Sequence, residues 1–251
     1  MALITTPAIL LRAHPYSETS QILRFFSRDL GVVAVMAKGV RKKGGRFGGG
    51  LSSFTEGDLT VYHKEGRDLQ TFKDFSTAKA RLGLAKDPRR FSGAAVLAEL
   101  VLQHAGTEEN SDLFLQLSAA LDAMEASRGD QVLTRLLLEI WTLIGGLGYS
   151  PSVRLCVLCG RALDGDEMGR FDFAEGGIRC TRCQVDAHGP RLGPRAREQL
   201  LGLIEGSLRE ELLRPWAHLR LASDFITYHI SGGTPLRSLE VLGTLIPRSH
   251  A

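Results

Sequence analysis

Over the first eighty residues the apolar positions fall in short runs, each ended by turn-forming residues. PAILLRAH (7–14), SQILRFFS (20–27) and VVAVMAKGV (32–40) are rich in Val, Ile, Leu and Phe, with Pro15-Tyr16-Ser17 and Asp29-Leu30-Gly31 between them. β-branched and aromatic runs of this length, bounded by turns, predict strands. GDLTVYHK sets Leu59, Val61 and His63 against Thr60 and Tyr62; RDLQTFKDFS sets Leu69, Thr71 and Lys73 against Gln70, Phe72 and Asp74. These alternations predict two further strands, joined in a hairpin at Glu65-Gly66. Five short strands with a longer insert before the fourth predict a small barrel. An OB-like barrel is the natural candidate, and an SH3-like barrel fits the same count.

From residue 87 the period lengthens to three and four. DPRRFSGAAVLAELVLQHAG has apolar positions at Phe91, Ala94, Ala95, Ala98, Val101 and Leu102. That stripe predicts a helix with Asp87 as N-cap, Pro88 in its first turn and Gly106 as its end. Leu113, Leu117, Ala120, Leu121 and Met124 repeat the stripe, and DQVLTRLLLEIWTLIGGLG is apolar enough to predict the buried helix of a bundle. Residues 150–190 then interrupt with Gly and Asp before helices resume at GPRAREQLLGLIEGS, PWAHLRLASDFITYHIS and PLRSLEVLGTL. The expected architecture is α+β and multidomain: an OB-fold β-barrel over residues 1–80, then a helical domain over 81–251 with the segment 150–190 inserted.

Composition adds little to this picture. Hydrophobic residues make up 43% and charged residues 24% of the 251, as in ordinary globular chains. No run of eighteen apolar residues occurs, so no membrane span is expected. The N-terminus lacks a basic start before its apolar stretch and reads as a strand, not a signal peptide. A cytoplasmic setting follows as the expectation, where thiols stay reduced. Charge is uneven: residues 1–80 hold twelve Lys/Arg against seven Asp/Glu, while residues 81–190 hold eleven against fifteen.

All four cysteines lie in two knuckles, CVLCG and CTRC, as C-x2-C-x20-C-x2-C. Two such knuckles supply four thiolates, the tetrahedral set of a closed zinc site. Cys156, Cys159, Cys180 and Cys183 are therefore expected to hold one structural Zn2+, with His188 as a nearby alternative ligand. Four thiolates leave no position open for water or substrate, so such a metal staples a loop or shapes an interaction surface. Asp164, Asp166, Glu167, Asp172 and Glu175 make the segment acidic and a poor nucleic-acid grip by sequence.

The second informative stretch is AKGVRKKGGRFGGGLSSF. Lys38, Arg41, Lys42, Lys43 and Arg46 fall within nine residues among glycines, with Phe47 directly after them. Such cations attract phosphates without fixed geometry, and a phenylalanine offers a face to an unstacked base. The bland reading is a solvated charge run between strands. Arg12 and Arg24 would reach a binding face if their strands alternate, or guard a sheet edge. Tyr16 stands in a turn, where it stacks a base or packs the turn. Catalytic patterns are missing. GGRFGGG lacks the lysine and hydroxyl of a P-loop, and H-E-x-x-H, G-x-S-x-G and G-x-G-x-x-G after a strand do not occur. His63, His104 and His229 read as core or rim residues. The Lys-x-Asp-Gly motif of NAD-dependent DNA ligases is also absent. A noncatalytic nucleic-acid protein is expected.

Pro15-Tyr16-Ser17-Glu18-Thr19-Ser20, then a strand, then Ala37-Lys38-Gly39 followed by basic residues, resembles the N-terminal region of the bacterial recombination-mediator family RecO. The CVLCG and CTRC knuckles, with Gly176-Gly177 before the second, are similar to a segment that many members carry. Some members lack the cysteines, so zinc is not the family's core chemistry. Ser52-Ser53-Phe54 stands where the family pattern has Gln-Pro-Phe. The resemblance implies an OB fold on a helical domain and binding of single- and double-stranded DNA. It also implies annealing of complementary strands and assistance to recombinase loading in RecF-pathway repair. Its implied partners are RecR, RecA and the single-strand DNA-binding protein, at the cytoplasmic nucleoid. The rival reading is a zinc-containing OB-fold factor for RNA; an enzyme with an unrecognised site is the other.

Overall fold

The computed structural model describes residues 1–42, 47 and 51–246; Lys43, Gly44, Gly45, Arg46 and Gly48–Gly50 lie outside the described residues. The chain divides into two compact units, Met1–Ala126 and Ser127–Ala251.

The first unit opens with a closed barrel of β1 (Ala2–Pro15), β2 (Gln21–Ser27), β3 (Gly31–Ala37), β4 (Glu56–His63) and β5 (Leu69–Lys79). Its order is β1-β2-β3-β5-β4, closed by β4 on β1, and β3 and β5 run parallel. This is an OB-like order. It decides between the two barrels that the strand count allowed. β1 is longer than its apolar run because it serves two neighbours: residues 2–9 pair with β4 and residues 8–15 with β2. Leu10, Leu23, Phe25, Val33, Val35, Leu59, Val61 and Phe75 fill the interior.

Two of the barrel's three bulges bear on its core; the third, between Glu56/Lys79 and Gly57/Thr77, leaves Ala78 extra. The register slips between Leu10 and Arg12, leaving Leu11 as an extra residue, and between Thr60/Asp74 and Val61/Phe72, leaving Lys73 extra. The second slip lets Phe72 and Phe75, three apart, both pack on the core. A strict period of two over 67–76 cannot do so.

α1 (Pro88–His104) and α2 (Ser111–Ala126) follow a short 3-10 turn at Leu84–Lys86. Asp87 caps α1 by accepting from the Arg89 N–H at 2.9 Å, with Pro88 beside it, as the sequence predicts. The apolar stripe differs. Phe91 is exposed, while Val96, Leu97 and Leu100 are fully buried, because α1 is covered by both the barrel and α2. Phe26 of β2 packs against Phe114 of α2 at 6.3 Å.

In the second unit α3 (Gln131–Gly146) packs on α4 (Pro194–Ile204) and α5 (Pro215–His229), followed by α6 (Arg237–Leu245). Trp141 of α3 meets Phe225 of α5 at 5.4 Å. Between α3 and α4 lies the cysteine segment, with β6 (Gly169–Asp172), β7 (Gly177–Arg179) and β8 (Arg191–Leu192) in the order β7-β6-β8. Phe171 and Ile178 give it a small buried centre. No described helix is long and apolar enough to cross a membrane.

Candidate nucleic-acid interface and metal centre

On the barrel, Leu23, Phe25, Val33 and Val35 point inward, so the residues between them point out. Two rows then cross the outer face. Arg12 pairs with Arg24, Arg24 with Ala34, and Ala34 with Leu69; His14 pairs with Ile22, Ile22 with Met36, and Met36 with Thr71. Arg12 is exposed, and Arg24, Ile22, Ala34 and Met36 are half-buried. The face is thus a shallow apolar surface with guanidinium groups at one side, a surface that suits bases and phosphates together.

Beside it a groove of about 560 Å³ is lined by Arg24, Val32, Ala34, His63, Arg67 and Gln70, among others. One wall is the β4–β5 turn, where Gly66 has a φ of 71°. Gln70, buried beneath it, accepts from the Lys64 N–H at 2.8 Å and donates to the Lys64 carbonyl at 3.0 Å. The turn carrying Arg67 is therefore fixed from below.

The basic insert leaves β3 at Lys38. The Arg41 N–H donates to the Thr19 carbonyl at 3.0 Å, which ties the insert to the β1–β2 turn, and the Lys42 N–H donates to the Gly39 carbonyl at 3.0 Å. Lys38, Arg41 and Lys42 are all exposed, and Tyr16 in the adjoining turn is 65% exposed. Lys43 and Arg46 fall outside the described residues. Phe47 takes a different place from the one expected for a stacking platform. It packs on the barrel core, half-buried, with its ring 5.7 Å from Phe72. The insert ends at Phe54, which is buried within the Ser52-Ser53-Phe54 variant of the family pattern.

In the second unit the sulfurs of Cys156, Cys159, Cys180 and Cys183 lie within 4.8 Å of one another, and those of Cys159 and Cys180 are 3.9 Å apart. Zn–S bonds of about 2.3 Å place the sulfurs of a tetrahedron about 3.8 Å apart, so the set suits a zinc-sized ion. All four cysteines are free, and 3.9 Å is far beyond a disulfide bond. His188 is exposed and does not join the cluster.

Burial opposes ionisation of Cys156, but N–H groups of Cys180, Cys159 and Leu158 directed at its sulfur outweigh this and bring its pKa down to about 6. Crowding by the neighbouring thiols, Cys180 first, pushes Cys183 up to about 12. Thiols that oppose one another's ionisation are what a cation would reconcile. Gly176 and Gly177 make the approach possible: Gly176 has a φ of 66°, and a Cβ on Gly177 would stand 2.5 Å from the Ser152 carbonyl. Around the cluster, the Glu167 carboxylate accepts from Arg161 Nη2 at 2.6 Å, from the Thr181 N–H at 2.9 Å and from Thr181 Oγ1 at 2.8 Å. Arg161 follows the first knuckle and Thr181 sits inside the second, so Glu167 joins the two.

Residues 1–81 match the family described as Recombination protein O N terminal, and residues 85–240 match Recombination protein O C terminal. The chain belongs to the RecO family. Among its relatives, the DNA repair protein RecO of Desulfatibacillum aliphaticivorans is 31% identical over 96% of this chain and 97% of its own. That of Synechococcus elongatus is 29% identical over 98% and 97%, and that of Rubrobacter xylanophilus 32% over 74% of each. RecO membership places the chain in DNA repair and recombination.

The knuckles and the basic insert are legible in the sequence of this RecO chain, but three residues are not. Arg67 and His63 line the groove, and Glu167 joins the knuckles. Arg67 had a signal, its place in the β4–β5 turn of an OB barrel, a loop that often meets oligonucleotides. Glu167 had none, because its partners lie 6 and 14 residues away.

Proposed function

We propose that the chain binds single- and double-stranded DNA, anneals complementary strands and assists recombinase loading, as a mediator without catalytic chemistry of its own. The observation that carries this reading is the outer barrel face, where Arg12 and Arg24 stand opposite one another beside the half-buried Ile22 and Met36. We assign residues 1–80 as the DNA-binding module and 81–251 as the helical module bearing the 150–190 segment. Lys38, Arg41, Lys42, Lys43, Arg46, Arg12 and Arg24 are its phosphate contacts. Cys156, Cys159, Cys180 and Cys183 hold one structural zinc. RecR, RecA and the single-strand DNA-binding protein are the partners this role requires, acting at the nucleoid.

Annealing needs charge neutralisation along two strands, not bond making, which accords with a cationic barrel face. The test is equilibrium binding of a labelled single strand across a salt series. Removing Arg12 and Arg24 together (Arg12→Gln/Arg24→Gln) should lower the salt slope by roughly 1.4, about 0.7 for each phosphate no longer neutralised. An unchanged slope would move the DNA site off the barrel. Stronger binding of RNA than of DNA by the unaltered protein would favour the RNA-factor reading.

A further inference from the structure

The summed charge of the cysteine segment hides a cationic face. Arg170 in β6 lies opposite Arg179 in β7 and also opposite Arg191 in β8. Gly169, Phe171, Ile178 and Leu192 are buried on the other side of this small sheet, so the three arginines share its outer face. Like charges directly opposite across a ladder destabilise it. Only Arg179 is compensated, by its ion pair with Asp172 and a bond to the Cys183 carbonyl at 3.5 Å. Arg170 donates through Nε to the Gly189 carbonyl at 3.0 Å and has no ion pair among the described residues. Among the described residues Arg191 has no ion-pair partner, nor has Arg182 at the tip of the second knuckle. Arg191 is exposed and Arg182 stands at the surface.

Three of the acids that make the segment negative by sequence are already paired, Asp172 on this same face. Glu167 and Asp164 pair with Arg161, and Asp172 with Arg179. Asp166 lines a separate groove against α4. Glu175 stands in the β6–β7 turn and Asp186 beyond the second knuckle.

We propose that this outer sheet face is a second phosphate-binding site, which takes the backbone of a nucleic-acid strand through Arg170 and Arg191. The site rests on the reading of the barrel as a DNA-binding surface and gives the second strand its own counter-charge. Guanidinium groups grip phosphate oxygens in pairs. Here, unlike in the basic insert, their spacing is set by a sheet, with facing Cα atoms about 4.5–5.5 Å apart.

The experiment uses the full-length, zinc-loaded protein saturated with an unlabelled single strand. A labelled, non-complementary strand is then titrated in across a salt series. For Arg170→Gln/Arg191→Gln the salt slope of second-strand capture should fall by roughly 1.4, and for Arg191→Gln alone by roughly 0.7. Arg191→Lys should restore most of the latter. Arg191 is exposed and has no ion pair, so the single variant tests the site without disturbing the fold. Unchanged second-strand capture, with first-strand binding intact, overturns the proposal and leaves the barrel reading standing. Absence of first-strand binding in the unaltered protein removes the barrel reading instead. Lost affinity for poly-glutamate with unchanged strand capture would assign the face to an acidic protein, which also overturns it.

Discussion

Arg81 donates through Nη1 to the carbonyl oxygen of Phe54, 2.9 Å away, and both residues hold positive φ, 46° and 68°. Such values are uncommon outside glycine, so both positions depend on their surroundings. The Arg81 side chain is 1% exposed and also donates to Asp122 at 2.6 Å, to Glu56 at 2.5 Å and to Ser118 Oγ at 2.9 Å. One buried guanidinium thus anchors the end of the basic insert to the end of β5 and to α2. Arg81→Met strands the Glu56 carboxylate and the Phe54 carbonyl without their donor. We expect a loss of about 3–5 kcal/mol in urea unfolding. A loss below about 1 kcal/mol would show that the carboxylates find water and that the network adds little.

Local pattern made the strands, the helices and the two knuckles legible, because each rests on neighbours in sequence. The strand count pointed to a barrel, but the parallel pairing of β3 with β5 was not legible, since it joins residues some 35 positions apart, as in Ala34 with Leu69. The bulges at Leu11 and Lys73 shift registers without leaving a compositional mark. Phe47 reads as a free aromatic among cations, yet Phe72 reaches it only because the second bulge turns that ring to the core. The acidic sum of the cysteine segment, for the same reason, does not say which of its charges stand at the surface. Which charges remain exposed depends on the pairings of Arg161 and Arg179, not on how many there are.

The metal centre should prove separable from the DNA surface of the barrel. We expect one zinc per chain by elemental analysis, and its loss in Cys159→Ser, with reduced thermal stability but little change in single-strand affinity. Glu167→Gln should retain zinc but release it faster to a chelator. Backbone and side-chain bonds from Thr181 hold the Glu167 pKa at about 2, below its ordinary 4.5. A depressed carboxylate stabilises the fold above its unfolded pKa, and this is lost as pH falls through the folded value. The stability difference between the two proteins should therefore be full at neutral pH and close as the pH falls from about 4.5 towards 2. Metal-free protein with Cys156 in a disulfide would contradict this account.

Helix α5 supplies a pH dependence of its own. Burial holds the His218 imidazole down at about 4, against an ordinary 6.5. Below pH 6.5 the unfolded chain takes up a proton that the folded one refuses until about pH 4, so stability falls across that window as the pH is lowered. His218→Gln should flatten the unfolding free energy between those values when urea curves are compared. Parallel curves would place the acid sensitivity at other groups.

We propose that cations of the barrel and its insert carry the charge neutralisation on which annealing depends. The most direct measurement of that claim is the rate at which the purified protein anneals complementary single strands. This is compared between the unaltered chain and one with Lys38, Arg41, Lys42, Lys43 and Arg46 replaced by alanine. The unaltered chain should accelerate annealing well above the protein-free rate. The variant should fall most of the way back to it, with a single-strand salt slope lower by roughly 2, as for about three phosphates no longer neutralised. Equal rates in the two proteins, or no acceleration by the unaltered chain, would contradict it.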